Sequence, residues 1–304
     1  MRPREIFDAH HHFWNLSGGE SHYPWLQDQY DEDFFLGDYR AMCHDFLPVD
    51  LRARFARWNL TGSVHVEAER SRREQVAETR WLAELHGQAG LPTLIVGHVY
   101  FVQPDRDEVL ADHAACPLVR GIRSKPVIAA RPGLSVRGEP GSLQDPQFAE
   151  GLSRLERHGF SWDLRVPFWH LAEAAELVAQ FPRIPVVLNH LGLPLDRSPE
   201  ALAVWRRGME LVAAQPQVML KVSEMGLHGG RWDAPSNRTV IRDAVAIFGI
   251  ERCMFASNLP VSGLSVPLDD LVETVLAALP DASQAGIDGL FAANAQRFYR
   301  AEPA

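Results

Sequence analysis

The sequence predicts a single α/β domain over residues 1–304, a distorted (β/α)8 barrel of the TIM type with a long aromatic loop after its first strand. Three observations predict it. Eight strand-like segments alternate with helix-like ones from one end of the chain to the other. Several of the strands are almost continuous apolar runs, the mark of parallel strands covered on both faces. No Gly-x-Gly-x-x-Gly follows a strand, and the count of eight favours a closed barrel over an open doubly wound sheet.

The first strand is Ile6-Phe7-Asp8-Ala9-His10-His11-His12-Phe13-Trp14. Side chains alternate along a strand, so Asp8, His10 and His12 are expected on one face and Ala9, His11 and Phe13 on the other. Two histidines on one face lie roughly 6 to 7 Å apart at Cα, near enough to share a metal ion or a polarised water. His11 is given a packing role. Asn15 to about Asp50 is a long insertion rich in aromatics (Tyr23, Trp25, Tyr30, Phe34, Phe35, Tyr39), and a loop this long is usually functional, so it is placed over the mouth of the site.

Pro48–Trp58 reads as a helix, and Thr61–Glu67 as strand two. Ser71–His86 carries helical spacing through Val76, Leu82 and Leu85. Thr93–Phe101 is strand three, and a helix follows over Asp105–Ala115. Leu118–Arg123 is strand four, then a Gly/Pro-rich loop from Pro126 to Pro146 leads into a helix ending near His158. Ser161–Val166, Ile184–His190, Val218–Ser223 and Cys253–Asn258 are strands five to eight. Their helices are His170–Phe181, Pro199–Ala214, Arg238–Phe248, Leu268–Leu279 and Ser283–Tyr299.

Composition narrows the partners. With 46% hydrophobic and 23% charged residues, the chain is an ordinary globular protein large enough to bury a core without disulfides. Its three cysteines (Cys43, Cys116, Cys253) are odd in number and widely spaced, as expected of reduced residues in a cytoplasmic protein. No stretch approaches the roughly 20 apolar residues of a membrane span, and Met1–Glu5 leaves no room for a signal peptide. A net charge of −9 argues against non-specific nucleic-acid or membrane binding. The expected partner is a small-molecule substrate, with the chain acting as a monomer or homodimer.

In a barrel of this kind chemistry gathers at the C-terminal ends of the strands. The polar residues there are His10 and His12, His65 and Glu67, Arg123 and Lys125, Asp163 and Arg165, Asn189 and His190, Lys221 and Ser223, and Ser257 and Asn258. Arg123 and Lys125 suit a substrate carboxylate, or are plain surface cations. Asp163 is either a site residue or a partner of Arg165 or Lys221, and Glu67 either joins His65 in the site or is a solvated loop residue. His190 closes an apolar strand before a Leu-Gly turn and is read as functional. Asn258 also suits a turn before Pro260. His22, His44, His86, His113 and His158 are assigned no chemistry.

The chain resembles the amidohydrolase superfamily, in the branch of 2-pyrone-4,6-dicarboxylate lactonase-like and L-fuconolactonase-like sugar lactone hydrolases. The resemblance rests on Phe7–Trp14, Val64–Ala68, Arg120–Arg123, Leu188–Pro194, Met254–Val261 and Ala293–Tyr299, in that order along the whole chain. It implies a hydrolase that opens a small sugar-derived or carboxylate-bearing lactone by water attack on the carbonyl. It also implies that His10, His12 and His190 polarise the carbonyl or hold one divalent metal, zinc first, although some members of the branch lack a tightly bound metal. The family's strand-eight carboxylate falls at Asn258, whose amide can orient a water but cannot be a base. Glu67, Asp163 or a histidine is then the base; Arg123 anchors substrate, and Trp14 and Trp25 stack on its ring. The alternatives are a metal-dependent non-oxidative decarboxylase of an aromatic acid and a non-catalytic ligand-binding barrel.

Overall fold

A computed structural model describes residues 1–301 apart from Glu20 and Gln29. Eight parallel strands follow one another in chain order: β1 Ile6–His11, β2 Leu60–Val66, β3 Leu94–His98, β4 Val119–Arg123, β5 Ser161–Leu164, β6 Val186–Leu188, β7 Val218–Val222 and β8 Cys253–Phe255. The ring closes just past β8. Asn258 N donates to His10 O at 2.7 Å, and His12 N donates to Leu259 O at 2.8 Å. Closure therefore uses the backbone of the residues expected to carry the chemistry. The (β/α)8 barrel stands.

Alternation divides the strands between two cores. Ile122, Trp162, Leu164, Val186, Leu188, Leu220 and Phe255 belong to the larger cluster, packed against the helices. Val64, Val66, Leu94, Val96, Val187, Met254 and Ala256 form a second cluster with Tyr299 against it, and these fill the barrel. β1 departs from simple alternation. Phe7 and Ala9 belong to the inner cluster, yet His10 also meets inward residues, because the pairing with β2 shifts register between Asp8 and His11.

β1 is shorter than expected and stops at His11. Phe13 N leaves the sheet to donate to His65 Nδ1 at 3.0 Å, and Trp14 pairs with Phe46 instead. That antiparallel bridge pinches the base of the aromatic insertion, which contains a helical turn at Pro24–Gln27 and another at Arg40–Met42. The helices lie where expected, with shifted ends. The seventh begins at Ala234 rather than Arg238, because Asp233 caps it by accepting from Ser236 N and Pro235 fits the first turn. The final helix is broken by a π-turn at Gly289–Ala293. Among the described residues no helix is long and apolar enough to cross a membrane.

Candidate active site

A cavity of about 450 Å³ opens at the C-terminal end of the barrel. Strand ends supply His12, Arg123, Lys125, Arg165, His190 and Asn258 to its lining, and the insertion supplies Trp25, Phe34, Phe35 and Tyr39. The aromatic loop therefore stands over the mouth, as its length suggested. Six non-glycine residues with positive φ lie in the segments just after the strands, Glu69, His190, Leu191, Leu193, Glu224 and Asn258. Backbone held in that region is costly for such residues and collects where side chains must be aimed.

The imidazoles converge. The His10 ring lies 5.0 Å from that of His12 and 4.7 Å from that of His190, between centroids. Each has a different environment. His12 Nδ1 lies 2.7 Å from Val66 O, and a carbonyl only accepts, so the proton is on Nδ1 and Nε2 keeps its lone pair. His190 Nδ1 lies 2.9 Å from Ser223 Oγ. His10 is fully buried below the cavity, with Lys221 Nζ 3.3 Å from Nδ1 and Arg123 Nη1 3.5 Å from Nε2. Burial first, then Lys221, Arg123 and Arg165 respectively, hold His10, His12 and His190 well below the usual imidazole range, so all three are neutral at pH 7.

The carboxylates offered as bases are tied to cations. Arg123 Nε donates to Glu67 Oε1 at 2.5 Å, and its Nη2 donates to Glu67 O at 2.5 Å. Burial pushes Glu67 up, but Arg123 and Lys125 outweigh it and hold the carboxyl below its ordinary range. Asp163 is fully buried in an ion pair with Lys221, and also accepts from Tyr299 Oη at 2.9 Å and from Asn189 Nδ2 at 3.1 Å. Neither carboxylate lines the cavity, so the expectation that Glu67 and Asp163 touch substrate is corrected to one of support beneath it. Trp14 is corrected too. It is fully buried, donates to His44 O at 2.7 Å, and packs edge-on against Trp25, whose ring does reach the cavity.

Two residues were under-read. Arg165, one turn of the pleat beyond Asp163, lines the cavity while its guanidinium has no hydrogen bond or ion pair among the described residues. Its only sequence signal was its place at a strand end. Glu224 follows Ser223 at the end of β7 and is fully buried, accepting from Asn258 Nδ2 at 2.5 Å and from Ser262 Oγ at 3.0 Å. Nothing local marked it, because the carboxylate is brought to Asn258 by the pairing of β7 with β8. His11 has its packing role, with Nε2 2.8 Å from Ser63 Oγ and the ring against Phe13. His65 lies outside the cavity lining.

The same geometry bears on a metal. His12 Nε2 and His190 Nε2 make no hydrogen bond among the described residues, whereas both nitrogens of His10 face cationic groups. Among the described residues no group of three or more His, Cys, Asp or Glu is arranged to hold a metal ion.

A parallel eight-stranded barrel with imidazoles and cations at its C-terminal mouth has the place and the groups for an active site. The amidohydrolase family model matches residues 7–301, and the chain belongs to that family. It is 33% identical over 300 residues to the uncharacterized protein y4mH of Sinorhizobium fredii, covering 99% of this chain and 100% of the relative. It is 26% identical over 259 residues to an L-fucono-1,5-lactonase of Burkholderia ambifaria, covering 85% and 81%. A crystal structure of an amidohydrolase from Burkholderia multivorans with bound HEPES superimposes with a TM-score of 0.80 at 26% identity, covering 98% of this chain and 100% of that one. A second crystal form of it contains bound zinc (TM-score 0.79, 26% identity, coverage 98% and 100%). The chain is thus a hydrolase of the amidohydrolase family, whose members commonly bind a divalent metal.

Proposed function

We propose that this protein hydrolyses a small sugar-type lactone, with His12 as the base. The observation that carries this is the fixed tautomer of His12: Nδ1–H donates to Val66 O, leaving a lone pair on Nε2 in a residue that lines the cavity. A depressed pKa keeps that lone pair available at neutral pH. Glu67 and Asp163 are engaged by Arg123 and Lys221, and Asn258 is an amide, so the role of base is given to His12, a cavity-lining histidine whose tautomer is fixed. Lactonase relatives supply the substrate class.

The steps balance. Water held by His12 Nε2 attacks the lactone carbonyl carbon and gives its proton to His12. Negative charge builds on the carbonyl oxygen, met by the positive field of Arg123 and Lys125 and by His190 when Ser223 donates to its Nδ1, which leaves Nε2–H to donate. The ring C–O bond breaks, and the proton on His12 passes to the departing ring oxygen. The product is an open hydroxy acid.

A zinc ion would find His12 Nε2 and His190 Nε2 but no cavity-floor carboxylate, and His10 faces Lys221 and Arg123. These residues do not fit a tightly held four-coordinate ion, and no step above needs one. The aromatic-acid decarboxylase, which requires a metal, is for that reason the weaker reading.

The test is turnover of a sugar-lactone panel, followed by pH indicator, with wild type and His12→Ala. We expect kcat to fall by roughly 100-fold or more with the melting temperature preserved. Unchanged kcat in folded His12→Ala excludes this assignment.

A further inference from the structure

A second chamber adjoins the first. Its volume is about 350 Å³, and Trp25, Glu69 and Lys125 line both. It lies at the same end of the barrel, where the segments after β2, β3 and β4 supply Glu69, Tyr100 and Lys125. Lys125 is paired with Glu69, their side chains 28% and 52% exposed. A partly exposed ion pair adds little stability, so this partition between the chambers opens at small cost. Tyr100, Arg72 and His98 line the second chamber and not the first. Arg72 Cζ stands 4.6 Å from the centroid of the Tyr100 ring. Gln75 Nε2 donates to Gln103 Oε1 at 3.2 Å, which turns Gln75 Oε1 towards His98 Nδ1, 3.1 Å away. An amide oxygen only accepts, so His98 carries its proton on Nδ1 and keeps a lone pair on Nε2.

This mixture of groups selects a ligand. Arg72 and Lys125 donate, Glu69 and His98 Nε2 accept, and Trp25 and Tyr100 offer rings. A simple anion only accepts and would meet Glu69, and an apolar group would leave the polar atoms unpaired. A sugar hydroxyl both donates and accepts, and the C–H face of a sugar ring packs on an aromatic face. Each chamber is of the size that encloses a small ligand, so a lactone ring in the first leaves the second for another ring. Resting on the lactonase reading of the first chamber, we infer that the substrate is a glycosylated lactone. The lactone carbonyl reacts beside His12. A neutral sugar residue, joined to the lactone by a glycosidic bond that stays intact, lies against Tyr100 and Arg72 in the second chamber.

The test compares glucono-1,5-lactone with two glycosylated forms of it, cellobiono-1,5-lactone (glucosyl at O4) and melibiono-1,5-lactone (galactosyl at O6). Wild type should favour one or both glycosylated lactones in kcat/KM. Tyr100→Leu should lower the glycosylated-to-plain ratio by roughly 3- to 10-fold, the range expected for losing an aromatic contact. Arg72→Met keeps an apolar stem over the ring but loses the N–H donors, and should lower the ratio by a similar factor. The plain lactone is the internal reference in each protein, so a general loss of folded enzyme cancels from the ratio. A fall in either folded variant supports the inference, and an unchanged ratio in both overturns it. So does a wild type that favours neither glycosylated lactone. Calorimetry with cellobionate, melibionate and gluconate separates this inference from the lactonase reading. A glycosylated acid bound more tightly than gluconate, with that margin lost in Arg72→Met and no lactone turned over, sustains the second chamber and sinks the lactonase. Turnover of glucono-1,5-lactone with no preference for either glycosylated form does the reverse.

Discussion

Asn258 Nδ2 lies 2.5 Å from Glu224 Oε2, and both residues hold positive φ, 52° and 45°. The carboxylate fixes which end of the amide faces it, leaving Asn258 Oδ1 buried without a hydrogen-bond partner among the described residues. Glu224 is itself pushed up by burial, and hydrogen bonds from Asn258 and Ser262 offset only part of that. The family's usual strand-eight carboxylate is thus absent at Asn258, with another carboxylate directly behind it.

Asn258→Asp should therefore not create a working base. It would set two carboxylates at hydrogen-bonding distance in a buried site, where one shares a proton with the other instead of both ionising. We expect kcat/KM at pH 7 to drop by roughly 10-fold or more. Asn258→Asp combined with Glu224→Gln leaves one carboxylate and should recover part of the loss. A pH–rate profile of the three proteins checks this, and a rate gain in Asn258→Asp alone would show that Glu224 does not govern position 258.

The fold was legible because its signals are local and repeated: apolar strands, helical spacing and turn residues recur eight times. The histidine cluster was legible for the same reason, since His10 and His12 sit on one strand and His190 ends another. What escaped depends on distant parts of the chain. Asp163 and Lys221 are 58 residues apart and cancel each other, and Glu67 and Arg123, 56 apart, do likewise. A strand-end charge in the sequence is therefore no guide to a free charge in the cavity. Arg165 and Arg123 look alike in sequence, yet only the neighbouring strand decides which has a carboxylate. Trp14 was misplaced because β1 ends at His11 and its continuation turns to pair with Phe46.

Stability should depend on pH through Glu78. This fully buried carboxyl accepts from Ala68 N at 3.1 Å and is pushed from its ordinary 4.5 up to about 7, by burial first and then by Glu67. Its folded pKa exceeds the unfolded one, so the folded state holds the proton more tightly. The resulting stabilisation is complete below about pH 4.5 and is lost as pH rises through 7. Glu78→Gln keeps an acceptor for Ala68 N but never ionises. Its melting temperature should exceed that of wild type by several degrees at pH 8, with the difference vanishing below about pH 4. A constant offset at both pH values would mean that Glu78 is not titrating between them.

Trp25 separates substrate binding from chemistry. Its indole Nε1 donates to Ala68 O at 2.9 Å, tying the insertion to the segment after β2, and its ring stacks near Phe34 and Tyr39 at the cavity wall. It touches none of the groups assigned to proton transfer. Trp25→Ala removes the wall and the tie together, so KM for lactone should rise by roughly 10-fold or more while kcat changes by less than about 3-fold. Trp25→Phe keeps an aromatic face and loses only the bond to Ala68 O, so its KM should fall between the two. If Trp25→Ala instead lowers kcat and leaves KM unchanged, the loop acts on the reacting centre by excluding water, and its aromatic residues belong to the chemistry rather than to the grip on substrate.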